Sequence, residues 1–117
     1  MERTDIRGNN SNTDQIRCIE KTEPDYPQKM KQYTSMPAKL YVKGCLPDPD
    51  RRTVAVIGAR MCSPYGRIQA FRYAKTLSLA GVQIISGLAL GIDAESHKGA
   101  LEGSMPTFAV LGSGVDI

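Results

Sequence analysis

Val54-Ala55-Val56-Ile57-Gly58-Ala59-Arg60 is an apolar run that breaks into small residues and an arginine where a helix should begin. A second run of this kind, Ile84-Ile85-Ser86-Gly87-Leu88-Ala89-Leu90-Gly91-Ile92-Asp93, follows further along the chain. Continuous apolar runs are typical of parallel strands buried on both faces, which is the prediction for Val54–Ile57. Turns after such strands direct backbone N–H groups toward one edge of a sheet, where an anion can bind. The sequence therefore predicts a phosphate-binding edge.

A helix is predicted between the two strands. Pro64 fits the first turn of a helix, where its missing N–H costs nothing. Apolar residues at helical spacing continue toward Gly81, which predicts a helix over about 64–80. Residues 82–85 then form the second predicted strand.

A second helix and a third strand complete the pattern. Asp93 is the predicted N-cap of a helix that ends near Gly103, and residues 108–111 form a strand that leads into Gly112. Since crossovers between parallel strands are right-handed, the three glycine ends lie on the same edge of the sheet. The predicted fold class is α/β, a Rossmann-like parallel sheet with flanking helices.

The chain divides by composition into three parts. Residues 1–15 are polar, with almost no apolar content, and predict a disordered tail. Residues 16–50 alternate short apolar pieces with proline and predict an extended arm, in which Leu40–Lys43 is the best short strand. Residues 51–117 form the partial α/β domain.

Overall composition excludes several classes of protein. The chain has 117 residues, of which 41% are hydrophobic and 23% charged, as expected of one globular domain. Its three cysteines are far apart, so they predict neither a disulfide framework nor a zinc site, and a reducing cytoplasm fits them. No apolar stretch is long enough for a membrane span or a signal peptide.

The distribution of charge is more informative than the net charge of +3. No Asp or Glu occurs between Asp50 and Asp93. Arg60 lies just past the first turn, where its guanidinium can make a bidentate contact to phosphate. The basic residues of this acid-free window are Arg51, Arg52, Arg60, Arg67, Arg72 and Lys75.

Cofactor binding and catalysis are both disfavoured. The turn at Gly58 lacks the Gly-x-Gly-x-x-Gly spacing, and there is neither an acidic residue after the second strand nor a Walker motif. Asp93 is better explained as a helix cap than as a general base, and His97 as a packing histidine than as part of a site. With no catalytic constellation, the predictions are no enzyme activity, no cofactor and no metal.

Several linked motifs together resemble the DNA-processing protein A family, also called Smf. The resemblance runs from about Ile16 to the last residue and preserves the order and spacing of the motifs. These are Leu40-Tyr41-Val42-Lys43-Gly44, Val56-Ile57-Gly58-Ala59-Arg60, Ser63-Pro64-Tyr65-Gly66, Ser86-Gly87-Leu88-Ala89-Leu90-Gly91-Ile92-Asp93-Ala94, His97-Lys98-Gly99-Ala100-Leu101 and Val110-Leu111-Gly112-Ser113-Gly114-Val115-Asp116.

This resemblance implies a protein that binds single-stranded DNA without strong sequence preference, forms a homodimer and helps to load the RecA recombinase in natural transformation or recombination. It implies neither a cofactor nor turnover. The phosphate-binding positions that it implies are Gly58, Ala59, Arg60, Ser86, Gly87, Leu88, Gly91 and Gly112.

The chain departs from the family at its C-terminus. Family members continue with further strands and helices, whereas this chain ends at Ile117, so we expect a domain truncated after its third core strand. Two alternatives stay open. One is a nucleotide-binding enzyme of a related fold, of the phosphoribohydrolase type, although the catalytic Glu that usually follows its glycine motif is missing here. The other is a remnant that unfolds or aggregates.

Overall fold

The computed structural model describes residues 4–8 and 15–111. The helices and strands predicted after residue 51 are present, with bounds that differ by one or two residues. The elements are β1 (Thr4–Gly8), β2 (Ile16–Glu20), α1 (Gln28–Lys31), β3 (Lys39–Lys43), β4 (Thr53–Ala55), α2 (Pro64–Leu79), β5 (Gln83–Ser86), α3 (Ile92–Leu101) and β6 (Thr107–Leu111).

The strands form one six-stranded sheet with the order β2-β3-β1-β6-β5-β4. β4, β5 and β6 are parallel, with Val54 opposite Ile84 and Ile84 opposite Thr107. Both crossovers step in the same direction across the sheet, so α2 and α3 cover the same face. The α/β fold class with a parallel sheet and flanking helices is confirmed.

Small side chains allow the two helices to pack closely on the sheet. Ala74 of α2 and Ala100 of α3 are fully buried against Ile84 of β5, and Val56 and Leu77 complete this cluster. Pro64 begins α2 as predicted, and the Ser63 hydroxyl before it accepts a hydrogen bond from the Gly66 amide at 3.0 Å. No helix in the described part of the chain is long and apolar enough to cross a membrane.

β4, the strand formed by the first apolar run, is not buried on both faces, so that prediction is wrong. Among residues 4–8 and 15–111, β4 is the last strand of the sheet and pairs with β5 alone. Val54 is 37% exposed and Ile57, just past the strand, is 73% exposed. The apolar pattern gave no information about strand order, and strand order decides how much of a strand is covered.

The N-terminal region also differs from the predicted tail and arm. Residues 4–8, assigned to a disordered tail, form β1, which pairs parallel to β3 and antiparallel to β6. β1 thereby joins the β2–β3 hairpin to the parallel strands in one sheet. The short strand predicted at Leu40–Lys43 is confirmed as part of β3, and it is an inner strand of the sheet rather than part of an arm.

Candidate phosphate-binding site

The turns that follow β4 and β5 meet at the start of α3. The Ile92 amide donates a hydrogen bond to the Ala59 carbonyl oxygen at 3.2 Å. Gly91 precedes the helix with φ +79° and ψ −126°, a conformation essentially restricted to glycine. A Cβ at Gly91 would collide with the carbonyl oxygens of Ala59 and Arg60. Position 91 therefore requires glycine, because the turn after β4 passes directly over it.

The other two glycines are needed for the same kind of close approach. A Cβ on Gly58 would lie 2.7 Å from the Ile92 side chain. A Cβ on Gly87 would lie 2.8 Å from the Asp93 carboxylate. Both glycines thus let the ends of β4 and β5 approach the first helical turn of α3. From the sequence alone, this structural role could not be distinguished from a close approach of the backbone to a ligand.

Asp93 does not cap the helix, and that prediction is wrong. α3 begins two residues earlier than predicted, at Ile92, with Gly91 at the N-cap position and no side-chain cap. The buried Asp93 carboxylate instead accepts a hydrogen bond from the Gly58 amide at 3.2 Å. Its position in the first turn is still favourable, since a negative charge there complements the helix dipole.

His97 is a hydrogen-bonded histidine within the fold, as predicted. Its Nδ1 lies 2.7 Å from the Thr107 hydroxyl, and its Nε2 lies 2.7 Å from the Gly87 carbonyl oxygen. These partners place the ring between β6 and the second turn. The sequence could not reveal this position, because Gly87 and Thr107 are ten residues away in opposite directions.

Ser86 and Leu88 are two further positions predicted to bind phosphate that the structure describes. Ser86 is buried, and its hydroxyl donates to the Val56 carbonyl oxygen at 2.5 Å, so this side chain joins the ends of β4 and β5. Gly112 lies outside the described residues. Leu88, in the turn after β5, is 55% exposed, so it is accessible to a ligand.

Several backbone amides at these two turns are left as donors. The Gly58 amide is taken by Asp93. Within residues 15–111, the amides of Ala59, Arg60, Gly87 and Leu88 make no hydrogen bond to another described residue. Ala59, Arg60 and Leu88 are exposed and Gly87 is half-buried. The two turns together can therefore donate to an anion in front of the strand ends.

The basic window is less one-sided in the fold than in the sequence. Arg51 lies 3.7 Å from Asp48, and Lys75 lies 3.9 Å from Glu102, both acids from outside the window. Arg60 is exposed and has no ion pair among residues 15–111. The same holds for Arg52, Arg67 and Arg72. Among the described residues there is no group of three or more His, Cys, Asp or Glu side chains that could hold a metal ion.

Three parallel strands, two helices on one face and two glycine turns against the second helix define a Rossmann-like α/β protein. The chain belongs to the DNA recombination-mediator protein A family, whose model matches residues 17–117. This match confirms the resemblance found in the sequence motifs.

Relatives of known name agree with this assignment. Protein Smf of Escherichia coli is 40% identical over 91 residues, which are 78% of this chain and 24% of that protein. Protein Smf of Borreliella burgdorferi is 37% identical over 78% of this chain and 29% of its own length. DNA processing protein DprA of Streptococcus pneumoniae is 37% identical over 79% of this chain and 32% of its own length.

A solved structure of DNA processing protein A from Helicobacter pylori, described for its single-stranded DNA binding mode, has the same fold. Its TM-score is 0.63 at 22% identity, over 88% of this chain and 58% of that one. The chain thus spans between 24% and 32% of the length of these curated relatives.

Proposed function

We propose that this chain binds single-stranded DNA through the sugar–phosphate backbone, at the turns that follow β4 and β5. The observation that carries the proposal is that the amides of Ala59, Arg60, Gly87 and Leu88 have no hydrogen-bond partner among the described residues, next to the exposed Arg60 side chain. The names of the relatives and the single-stranded DNA binding of the Helicobacter pylori protein support the choice of ligand.

The chemistry of these donors suits a phosphate backbone rather than bases. Backbone amides offer no pattern that distinguishes one base from another, so they position phosphates without reading sequence. Arg60 adds a charge-assisted and bidentate contact to the same groups. Binding should therefore be insensitive to sequence and sensitive to salt, because each neutralised phosphate releases condensed counterions.

The wider role that we propose follows from the family. We infer a part in DNA processing in the cytoplasm, in natural transformation or homologous recombination, with protection of single-stranded DNA and loading of a RecA-type recombinase. We assign binding without turnover to the chain, and homodimerisation only together with the further strands and helices that its relatives carry.

The test is fluorescence anisotropy with a labelled oligo-dT over a series of salt concentrations. We expect affinity to fall steeply with salt, with a slope in the logarithmic plot of about −0.7 for each phosphate contacted. Loss of one charge-assisted hydrogen-bonding group in Arg60→Ala should weaken binding about ten- to a hundredfold.

Arg17→Ala is the matched control. Arg17 lies on β2, at the other end of the sheet, in an exposed pair with Asp25 at 3.9 Å. This variant makes the same change in net charge, and we expect it to lower the affinity only slightly. Equal losses in the two variants would show that net charge, and not the site, governs binding.

The alternative function is that of a phosphoribohydrolase-type enzyme on a nucleotide. Asp93 and His97 are the acid and the histidine that contact the two turns from α3, and both are used in hydrogen bonds to the backbone or to Thr107. Incubation of the chain with nucleoside monophosphates, followed by chromatography, separates the two functions: release of free base would favour the enzyme. A cooperative thermal transition in the same preparation would exclude an unfolded remnant.

A further inference from the structure

One helix contacts both candidate binding turns through two polar side chains. Asp93 and His97 are one helical turn apart on α3, so they lie on the same face of the helix. Asp93 accepts from the Gly58 amide at 3.2 Å, and His97 lies 2.7 Å from the Gly87 carbonyl oxygen. α3 thus holds the turn after β4 with one side chain and the turn after β5 with the other.

The direction of the histidine bond is fixed by its partner. A carbonyl oxygen only accepts, so Nε2 of His97 carries a hydrogen and donates to Gly87. The other ring nitrogen is held 2.7 Å from the Thr107 hydroxyl, which also lies 3.1 Å from the Ile84 carbonyl oxygen. The ring is therefore oriented by β5 and β6, and it fixes the peptide whose amide belongs to Leu88.

The Asp93 carboxylate complements the dipole of α3, but its charge is unfavourable for a phosphate bound at the two turns. Asp93 is buried, with its Oδ1 on the Gly58 amide and its Oδ2 close to Gly87. A negative charge next to a phosphate site repels the ligand. Asp93 can therefore aid binding only by holding the backbone. The Ala59 carbonyl oxygen faces α3, where it accepts from the Ile92 amide at 3.2 Å, so the Arg60 amide of the same planar peptide points away from the helix.

We propose that Asp93 and His97 are positioning residues for DNA binding, which orient the two turns so that their remaining amides donate to phosphate. This inference rests on the proposed function. It assigns to a buried acid and a half-buried histidine an effect on affinity, although neither is placed in contact with DNA.

Two variants of Asp93 separate orientation from charge. Asp93→Asn keeps an oxygen that can accept from Gly58 and removes the charge, so we expect oligo-dT binding equal to or tighter than that of the wild type. Asp93→Ala removes both, and we expect binding weaker by about five- to tenfold, comparable to the contribution of one hydrogen bond. If charge alone mattered, both variants would bind more tightly, which would overturn the inference.

Two variants of His97 separate its two hydrogen bonds. Gln places an N–H group near the position of Nε2 and can still donate to Gly87, whereas Asn reaches only toward the Nδ1 partner, Thr107. We expect His97→Gln to keep most of the affinity and His97→Asn to lose about five- to tenfold. Equal affinities of the two variants would contradict a role through Gly87.

The control on the same helix is Glu95→Ala. The Glu95 side chain pairs with Lys98 at 3.4 Å and makes no hydrogen bond or ion pair to either turn within residues 15–111. Its removal changes the charge as Asp93→Ala does, and we expect no loss of affinity. All variants are compared well below their thermal midpoints, so a lower stability does not count as weaker binding.

Amide resonances report directly whether the two turns move in these variants, separately from the affinity for DNA. In the free protein, we expect the Gly58, Ala59 and Leu88 amide signals to shift in Asp93→Ala and His97→Asn and to stay near their wild-type positions in Asp93→Asn and His97→Gln. If the wild type and Arg17→Ala bind and Arg60→Ala does not, while Asp93→Ala and His97→Asn bind normally, only this inference fails. If the wild type does not bind oligo-dT, the proposed function fails and the DNA-binding role of the pair fails with it.

Discussion

The two ends of the sheet bury their apolar residues to very different degrees. At the β2–β3 end, Leu40 and Val42 are fully buried with Ile19 and Tyr26, although the surrounding sequence is rich in proline and charge. At the β4 end, the most apolar run of the chain leaves Ile57 73% exposed.

The difference shows that an apolar run predicts which residues favour burial, but not which elements of the fold cover them. The hairpin end is covered by its own local segments, since Tyr26 and Met30 come from the turn and the short helix between β2 and β3. The burial of β4 depends instead on neighbouring elements from other parts of the chain. In the doubly wound strand order 3-2-1-4-5-6, the first strand is flanked on both sides, and the composition of β4 fits such a position.

The largest expected effect is a contrast in stability between these ends. Leu40→Ala removes a fully buried side chain, and we expect a loss of about 2–5 kcal/mol in the free energy of unfolding. Ile57→Ala changes an exposed side chain, and we expect a change within about 0.5 kcal/mol. Urea denaturation of both variants measures the contrast.

A large loss in Ile57→Ala would break the comparison. It would show that the apolar surface at β4 is covered in solution, for example by a second copy of the chain. In that case, the loss should grow with protein concentration, since association stabilises by mass action. Sedimentation at two concentrations distinguishes a covered edge from a destabilised monomer.

Local signals explain how much of the fold could be predicted. Pro64, Gly81 and the helical spacing between them fixed α2, and glycine marked the end of β5. The position of β4 at the sheet edge could not be predicted, because strand order depends on contacts between residues far apart in the chain. β1 was missed for the same reason: Thr4–Gly8 has little apolar character, and its pairing with β3 and β6 is its only structural signal.

The sequence predicted that the two turns lie together, but not the hydrogen bonds that they make within the fold. The turns at Gly58 and Gly87 do lie together, as the parallel arrangement required. Their internal partners on α3 were not predicted, since the Gly58–Asp93 hydrogen bond spans 35 residues. A small signal was present: Asp93 and His97 are spaced by one helical turn, which places two polar groups on one helix face.

The next largest effect is expected at Gly91, over which the turn after β4 packs. Gly91→Ala forces a side chain into a conformation that only glycine adopts readily, which costs about 1–3 kcal/mol from backbone strain. The new Cβ would also collide with the Ala59 and Arg60 carbonyl oxygens. We expect the first turn to be displaced, with a lower thermal midpoint and weaker oligo-dT binding.

Gly66→Ala is the control for this substitution. Gly66 lies in the first turn of α2, and a Cβ there would be 3.4 Å from the nearest atom, which is ordinary contact. We expect a change in stability close to zero or a slight gain, because alanine favours helix. Similar losses in both variants would show that the turn over Gly91 is not packed as described.

The smallest effect is expected at Tyr26, and it depends on pH. Tyr26 is 1% exposed and donates a hydrogen bond to the Pro37 carbonyl oxygen at 2.7 Å. Burial raises the pKa of Tyr26 above its usual value, so the unfolded chain loses this proton at a lower pH than the folded one. The stabilisation from the neutral phenol is therefore complete below pH of about 10 and is lost as the pH rises through the folded pKa.

Tyr26→Phe should cost about 0.5–1.5 kcal/mol at neutral pH, through loss of the hydrogen bond. That cost should shrink between pH 9 and about pH 11, because ionisation destabilises only the wild type relative to its unfolded state. Tyr65→Phe is the control at the β4 end, where the ring is 71% exposed, and it should leave stability unchanged at both pH values. Urea denaturation at the two pH values measures both variants. A pH-independent cost in Tyr26→Phe would mean that the phenol is not enclosed, and the contrast between the two ends would then rest on aliphatic side chains alone.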